Sequence, residues 1–374
     1  MRFADITGLQ DIKDSLRNAV ANNHVAHAQL FDGPTGSANL ALALAFASYV
    51  NCESPEEQDS CGRCASCIKI DKMVHPDFHF VFPVSSTKKV TGKDVISASY
   101  LTEWREFLAQ SKYRTLSDWN NFYGAENKQG NISKEESRQI IKNLSLKAFE
   151  AKYKIMLIWL PENMHPSAAN GILKILEEPP ERTLFLLVSN DSEKLLTTIL
   201  SRTQKVKIRA FRDEELSQIL QEDAGLDVTQ ASRIAQMADG NLVEAFKLID
   251  NSDDDIHKMF RDWMRLCFSR DFTQLVAWAD LFQKMTRVAQ NNLFQYGLNV
   301  MRETLIHHHV GEELNRVQGE DLGFIQNFGK VMTADKVERA SKELNTASYH
   351  LERNANAKIL FLDLSLQLFK ILRT

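Results

Sequence analysis

The chain has 374 residues, 44% hydrophobic and 25% charged, with a formal net charge of −4. That length suggests roughly two or three soluble domains with ample apolar material for a core. The charge argues against a dedicated nucleic-acid binder, although a local basic patch stays compatible with it. No apolar run approaches a membrane span, and Met1-Arg2-Phe3-Ala4-Asp5-Ile6 lacks the long apolar segment of a secretion signal, so a cytoplasmic location without membrane contact is expected.

Leu9, Ile12, Leu16 and Val20 recur at helical spacing and predict an opening amphipathic helix. Val25 to Phe31 reads as a buried strand, with His27 as a packing histidine. The strand runs into Asp32-Gly33-Pro34-Thr35-Gly36-Ser37-Ala38-Asn39-Leu40, and a helix-forming run, Leu40 to Val50, follows. Strand, glycine loop and helix is the setting that turns backbone N–H groups and a helix N-terminus toward a phosphate. The working pattern is G-x-x-x-x-G-K-[ST]. Gly33 fills its first position, but the second glycine is Ala38, the lysine is Asn39 and the hydroxyl residue is Leu40. The stretch is either a coincidental Gly-Pro turn or a nucleotide-binding loop that has lost its chemistry.

Four of the five cysteines follow at once, as Cys52-x8-Cys61-x2-Cys64-x2-Cys67. Four thiolates so spaced can surround one tetrahedral zinc ion, and a full set of four ligands makes the metal structural. An iron–sulfur cluster and a set of free thiols are the alternatives. Phe78 to Phe82 reads as a short strand. From about 83 to 130 the pattern dissolves into an insertion with partial helical content and scattered aromatics: Tyr100, Trp104, Phe107, Tyr113, Trp119, Phe122 and Tyr123. They either pin the insertion to the domain surface or, with the nearby lysines, touch nucleic acid; without a basic cluster the first reading is preferred.

Ser133 with Glu136 three residues on is a capping-box pattern for a helix carrying Ile140, Ile141 and Leu144. Lys154 to Leu160 is a continuous apolar run, expected as a buried central strand. A nucleoside triphosphatase places at the end of such a strand the acidic pair that holds magnesium and activates water; here the positions are Trp159 and Leu160, and Glu162 lies beyond the strand. A helix from Pro166 carries Ala169, Ile172, Leu173 and Leu176 and stops at Glu177-Glu178-Pro179-Pro180. Thr183 to Asn190 is a further strand, Leu195 to Leu200 a helix, and Val206 to Ile208 a strand, with Ser201-Arg202-Thr203 between the last two. This alternation predicts an α/β domain with a parallel sheet covered on both faces.

After about Arg209 only helical patterns remain. Three short helices span 210–250, interrupted at Asp239-Gly240-Asn241. Asn251 to Asp255 reads as a polar linker, and 256–374 as an all-α domain in which Cys267 lies on a buried face. His307-His308-His309 points around a helix rather than along one face, which disfavours metal binding.

His27-Ala28-Gln29-Leu30-Phe31-Asp32-Gly33-Pro34, the cysteine module, Ala168-Ala169-Asn170-Gly171-Ile172-Leu173-Lys174-Ile175-Leu176-Glu177-Glu178-Pro179-Pro180 and Ser201-Arg202-Thr203 together carry a resemblance. The chain resembles the bacterial clamp-loader subunits of the AAA+ class, the delta-prime type of DNA polymerase III in particular, over residues 1–210 apart from the insertion. The departure is Thr203, where the family's S-R-C signature has cysteine. The resemblance implies an AAA+ P-loop-like α/β domain at 1–209 with a zinc module at 52–67 and an insertion at 83–130, a helical lid at 210–250 and an oligomerising collar at 256–374. It implies a non-catalytic subunit that helps load the sliding clamp on primed DNA.

Such a subunit would hold only a vestigial P-loop (Gly33, Gly36, Ala38, Asn39) and no catalytic residue of its own. ATP would sit at the interface with a neighbouring motor subunit, to which Arg202, beside Ser201, would act in trans as an arginine finger. The implied partners are the motor (tau/gamma) and delta subunits, the clamp and primer-template DNA. Near Gly240-Asn241-Leu242-Val243, Val243 stands where the motors carry a nucleotide-sensing arginine. On its residues alone Arg202 reads first as a surface salt-bridge partner, and only the family context favours the finger. The alternatives are an active AAA+ ATPase with a divergent P-loop and a zinc-stabilised nucleic-acid-binding module.

Overall fold

Five parallel strands form one sheet: β1 (Ala28–Asp32), β2 (Phe78–Val81), β3 (Lys154–Trp159), β4 (Thr183–Ser189) and β5 (Gln204–Lys207), in the order β2-β3-β4-β1-β5. This computed structural model describes all residues except 112, 126–127, 129, 250–252, 311–319, 354 and 374, with backbone alone at 253–255, 257, 288, 310, 320–322 and 352. β3 and β4 are buried along their whole length, which explains their apolar runs at 155–159 and 184–188: both faces are covered by helices. β5 is an edge strand, and its exposed Lys205 and Lys207 are the charges expected where unpaired backbone would otherwise invite another strand.

The connecting helices are α1 (Gln10–Ala21), α2 (Asn39–Val50), α3 (Ala65–Asp71), α4 (Leu101–Gln110), α5 (Leu116–Phe122), α6 (Lys134–Ser145), α7 (Pro166–Glu177) and α8 (Thr197–Leu200). α2 is apolar on all sides and buried except at Tyr49, so it is an interior helix rather than an amphipathic one. The chain then continues with α9 (Asp213–Ala224), α10 (Val228–Ala238), α11 (Leu242–Ile249), α12 (Asp253–Ser269), α13 (Phe272–Lys284), α14 (Arg287–Val310), α15 (Glu320–Gly329), α16 (Ala334–Glu352) and α17 (Ala357–Arg373).

Two compact units result: Met1–Ile219 with Asp239–Val243, and Leu220–Ala238 with Glu244–Thr374. The second unit is helical. Its core stacks Trp263, Phe282, Phe294 and Phe361, and Trp263 Nε1 donates to Ser365 Oγ at 2.9 Å. Cys267 is fully buried there, as its apolar neighbours suggest. No described helix is long and apolar enough to cross a membrane.

Several expectations change. The insertion is indeed pinned to the domain by its aromatics, on Phe82 and Trp159, but as a buried core rather than a surface patch. Its ends close on each other, Val84 and Asn131 exchanging both backbone hydrogen bonds at 3.0 Å, and α4 and α5 bring Trp104, Phe107 and Trp119 into a fully buried cluster with Phe82. Two short helices, with Trp104, Phe107 and Leu108 on one face of α4, build a small core, and those buried rings are out of reach of nucleic acid. The capping box does not form: Ser133 makes no side-chain cap, and Glu136 instead accepts from Ser97 N at 2.7 Å. Burial outweighs that bond and pushes the Glu136 carboxyl up to about 7. Ile141 faces solvent rather than the core.

The first strand starts at Ala28, not Val25, and the helix expected over 195–200 shrinks to Thr197–Leu200. Of the expected linker, Asp253–Asp255 already belong to α12, and 251–252 lie outside the described residues.

Candidate functional site

Ligands of open parallel sheets bind outside the carboxyl ends of the strands, where the strand order reverses. The chain leaves β1 for the far edge at β2 and returns through β3 and β4, so the ends of β1, β3 and β4 converge there. The glycine loop follows β1, Trp159 ends β3, and Asn190 follows β4.

In this crevice Asn39 is 5% exposed, and its carboxamide is fully engaged. Nδ2 donates to Gly33 O (3.3 Å), Ser189 O (3.0 Å) and Asn190 Oδ1 (2.9 Å), while Oδ1 accepts from Leu40 N at 2.8 Å. Asn190 N donates in turn to Glu162 Oε1 at 2.9 Å. Burial raises the Glu162 carboxyl above its usual range, partly offset by that N–H. Where a lysine would reach out to phosphate, an amide reaches inward and ties the loop to β4. The N–H groups of Gly33 and Ser37 are also taken, by Ser189 O (3.2 Å) and Pro34 O (3.0 Å).

Gly36 has φ +81°, and a Cβ there would lie 1.8 Å from Asn241 Oδ1, so both its conformation and its neighbour demand glycine. Leu242 N donates to Gly36 O at 3.1 Å, and Val243 is buried beside it. Ala38 and Leu40 are buried too.

Trp159 does more than fail to supply a carboxylate. Its ring lies 5.1 Å from that of Trp104 and 6.4 Å from that of Phe107, so the side chain that ends β3 is part of the insertion's core. Leu160 is buried with φ 55°, its N–H bonded to Val188 O at 2.7 Å. Sequence reasoning missed Asn190 and the chain Asn39–Asn190–Glu162. The adjacency of the β1 and β4 ends, which decides it, is a tertiary fact.

Arg202 lies away from the loop, between α8 and β5. Its Nε and Nη2 donate to Glu177 Oε2 at 3.0 and 2.9 Å, and Nη1 donates to Thr198 O at 3.1 Å. The guanidinium is 30% exposed and Glu177 59%, so the ion pair expected on residue type alone is present. A pair this exposed contributes about 0–1 kcal/mol to stability.

The four clustered cysteines converge. Their sulfurs all lie within 4.8 Å of one another, the one such donor group among the described residues. A knuckle of N–H···S bonds builds the site: Cys61 N to Cys52 Sγ (3.3 Å), Cys64 N to Cys61 Sγ (3.3 Å) and Cys67 N to Cys64 Sγ (3.4 Å). Gly62, φ +66°, makes the turn. The N–H groups of Arg63 and Cys64 hold the Cys61 thiol down at about 7, whereas burial raises Cys52 and Cys67. Four sulfurs around a tetrahedral ion at 2.3 Å would stand about 3.8 Å apart, so the donor set fits a four-thiolate metal centre. Asp59, inside the cysteine loop, accepts from Phe3 N (3.0 Å) and Ala4 N (2.8 Å) and fastens the loop to the N-terminal segment. His308 bonds Met332 O at 2.6 Å, in keeping with a non-ligand histidine.

Comparison with known proteins bears on the same region. Residues 8–212, more than half of the chain, match the protein family described as DNA polymerase III, delta subunit. The chain is similar to the DNA polymerase III subunit tau/gamma of Haemophilus influenzae, 26% identical over 255 residues, covering 67% of this chain and 30% of that one. It is also similar to the tau subunit of Bacillus subtilis, 26% identical over 261 residues, covering 67% and 38%. It therefore spans about a third of the length of these curated relatives. Among solved structures, a gamma subunit-related protein of Thermotoga maritima aligns over 96% of this chain and 99% of its own, at 15% identity and a TM-score of 0.34.

Proposed function

Because the chain belongs to the family of the DNA polymerase III delta subunit, we propose that it is a clamp-loader subunit of the delta-prime type, acting in DNA replication without an ATPase of its own. The observation that carries this reading is the Asn39 carboxamide, whose bonds to Gly33, Ser189 and Asn190 close the phosphate loop from within. Trp159, built into an aromatic core, supports it from the magnesium side. The places of lysine, magnesium ligand and catalytic acid are taken by Asn39, Leu40, Trp159 and Leu160, and the nearby Glu162 carboxyl is engaged by Asn190 N.

On this reading Arg202 works in trans. ATP is held by a neighbouring motor subunit, and the guanidinium, at the exposed α8–β5 junction, neutralises charge that develops on the transferred phosphoryl group. Ser201 shapes the turn that presents it. Residues 1–209 form the AAA+ domain, 210–250 its lid and 256–374 the collar through which the chain joins tau/gamma and delta subunits around the sliding clamp and primer-template DNA. Cys52, Cys61, Cys64 and Cys67 hold a structural zinc ion that would brace the segment between α2 and α3. The work belongs in the cytoplasm.

The test is reconstitution with motor and delta subunits. Arg202→Ala should fold and assemble but lower the clamp-loading rate by about tenfold or more, as loss of such an arginine does in phosphoryl transfer. Unchanged loading refutes the trans role. Tight ATP binding with turnover by the isolated chain refutes the absence of an ATPase.

A further inference from the structure

Arg202 belongs to a second arrangement, with Glu177, whose carboxylate grips one edge of the guanidinium. A guanidinium has five N–H donors in a rigid fork. Glu177 Oε2 takes the edge formed by Nε (3.0 Å) and Nη2 (2.9 Å), and the carbonyl of Thr198 takes Nη1 (3.1 Å). The contact of Nη1 with Ser201 Oγ, at 3.4 Å, is long. One Nη2 hydrogen, and an Nη1 hydrogen engaged by that long contact alone, thus remain at the outer end of the fork. The acceptors come from two directions. Glu177 ends α7, twenty-five positions before Arg202, and Thr198 lies in α8.

Together they fix the guanidinium plane, which a flexible side chain on an exposed turn would not keep. Charge leads to the same assignment. A carboxylate beside a phosphate-directed arginine opposes phosphate binding unless it contributes orientation worth more than the repulsion it adds.

We propose that Glu177 is the positioning residue for Arg202: it holds one edge of the guanidinium so that the outer end faces the neighbouring subunit's ATP. The proposal rests on the trans role of Arg202 and deepens it. Glu177 itself touches no substrate. Its contribution appears in the chemical step rather than in nucleotide affinity, because a misaimed arginine still leaves the neighbour's own phosphate contacts intact.

The experiment measures clamp loading by the complete reconstituted complex, as kcat and as KM for ATP, with Glu177→Ala, Glu177→Asp, Arg202→Ala and the Glu177→Ala/Arg202→Ala pair. Glu177→Ala should lower kcat about fivefold with KM for ATP unchanged. Glu177→Asp, which keeps the carboxylate, should recover part of the loss. In the Arg202→Ala background Glu177→Ala should do nothing more, since the two act as one unit. Wild-type kcat in Glu177→Ala, while Arg202→Ala is slow, overturns the positioning role alone. So does a further fall in the double variant, which would mean that Glu177 acts through the fold. Wild-type kcat in Arg202→Ala overturns the trans role on which it rests.

Discussion

Replacing Asn39 by alanine tests whether the glycine loop is a closed structural element or an idle binding site. The substitution removes two N–H donors shared among Gly33 O, Ser189 O and Asn190 Oδ1, and one acceptor used by Leu40 N. A net hydrogen bond contributes about 1 kcal/mol, and a buried partner left unpaired costs about 1–3 kcal/mol. Asn39 is 5% exposed, so water replaces these partners poorly. A loss of about 2–4 kcal/mol follows for the first unit. Urea unfolding reads it as a midpoint lowered by roughly 1 M, and hydrogen exchange locates it in the amides at the ends of β1 and β4.

Asn39→Lys is the companion variant. It restores the charge that a phosphate loop uses, yet Trp159, Leu160 and Leu40 still provide no magnesium ligand, so ATP affinity should not appear in a calorimetric titration. Stability of Asn39→Ala within about 0.5 kcal/mol of wild type would show that the loop is not sealed as described, and micromolar ATP binding by Asn39→Lys would show that the lysine, not the magnesium ligands, was the deciding loss.

Trp104→Ala should cost about 3–5 kcal/mol, because the indole is fully buried against Phe82, Trp119 and Trp159, and limited proteolysis should then cut within 83–130. Glu136 gives a pH signature. Its folded value of about 7 lies above the ordinary 4.5, so its protonated form contributes stability fully below pH 4.5, and that contribution disappears as pH rises through 7, by on the order of 3 kcal/mol. Glu136→Gln keeps an acceptor for Ser97 N and should flatten this part of the stability–pH curve; an unchanged slope would refute the buried-acid reading. Metal analysis of the purified wild type should find about one zinc per chain, and Cys61→Ser or Cys64→Ser should lose it and lower the melting temperature of the first unit; metal-free wild-type protein would remove the basis for a four-thiolate centre.

Much of the α/β unit was legible because its signals are local. The apolar runs of β3 and β4, Gly-Pro after β1 and the C-x2-C spacing each depend on residues a few positions apart. Signals that depend on distant partners misled. Ser133 and Glu136 satisfy a capping pattern, but Ser97, far along the insertion, competes for the carboxylate and wins. The insertion's stripes are real but short, Trp104, Phe107 and Leu108 on α4 and Trp119 and Phe122 on α5 with Tyr123 at its C-cap; that they meet each other on Phe82 and Trp159 depends on distant segments.

By itself the sequence determined what stands at two positions of the crevice: an amide at 39 carries no charge, and an indole at 159 offers no carboxylate. It also determined that four thiols could meet, since their spacing lets one short loop close on itself. Only the tertiary structure decided what the substituted residues do instead. Asn39 reaches Ser189 and Asn190, and Glu177 reaches Arg202, because parallel strands and their helices bring distant segments side by side. Sequence spacing has no access to that adjacency, and hydrogen bonds form only where it exists.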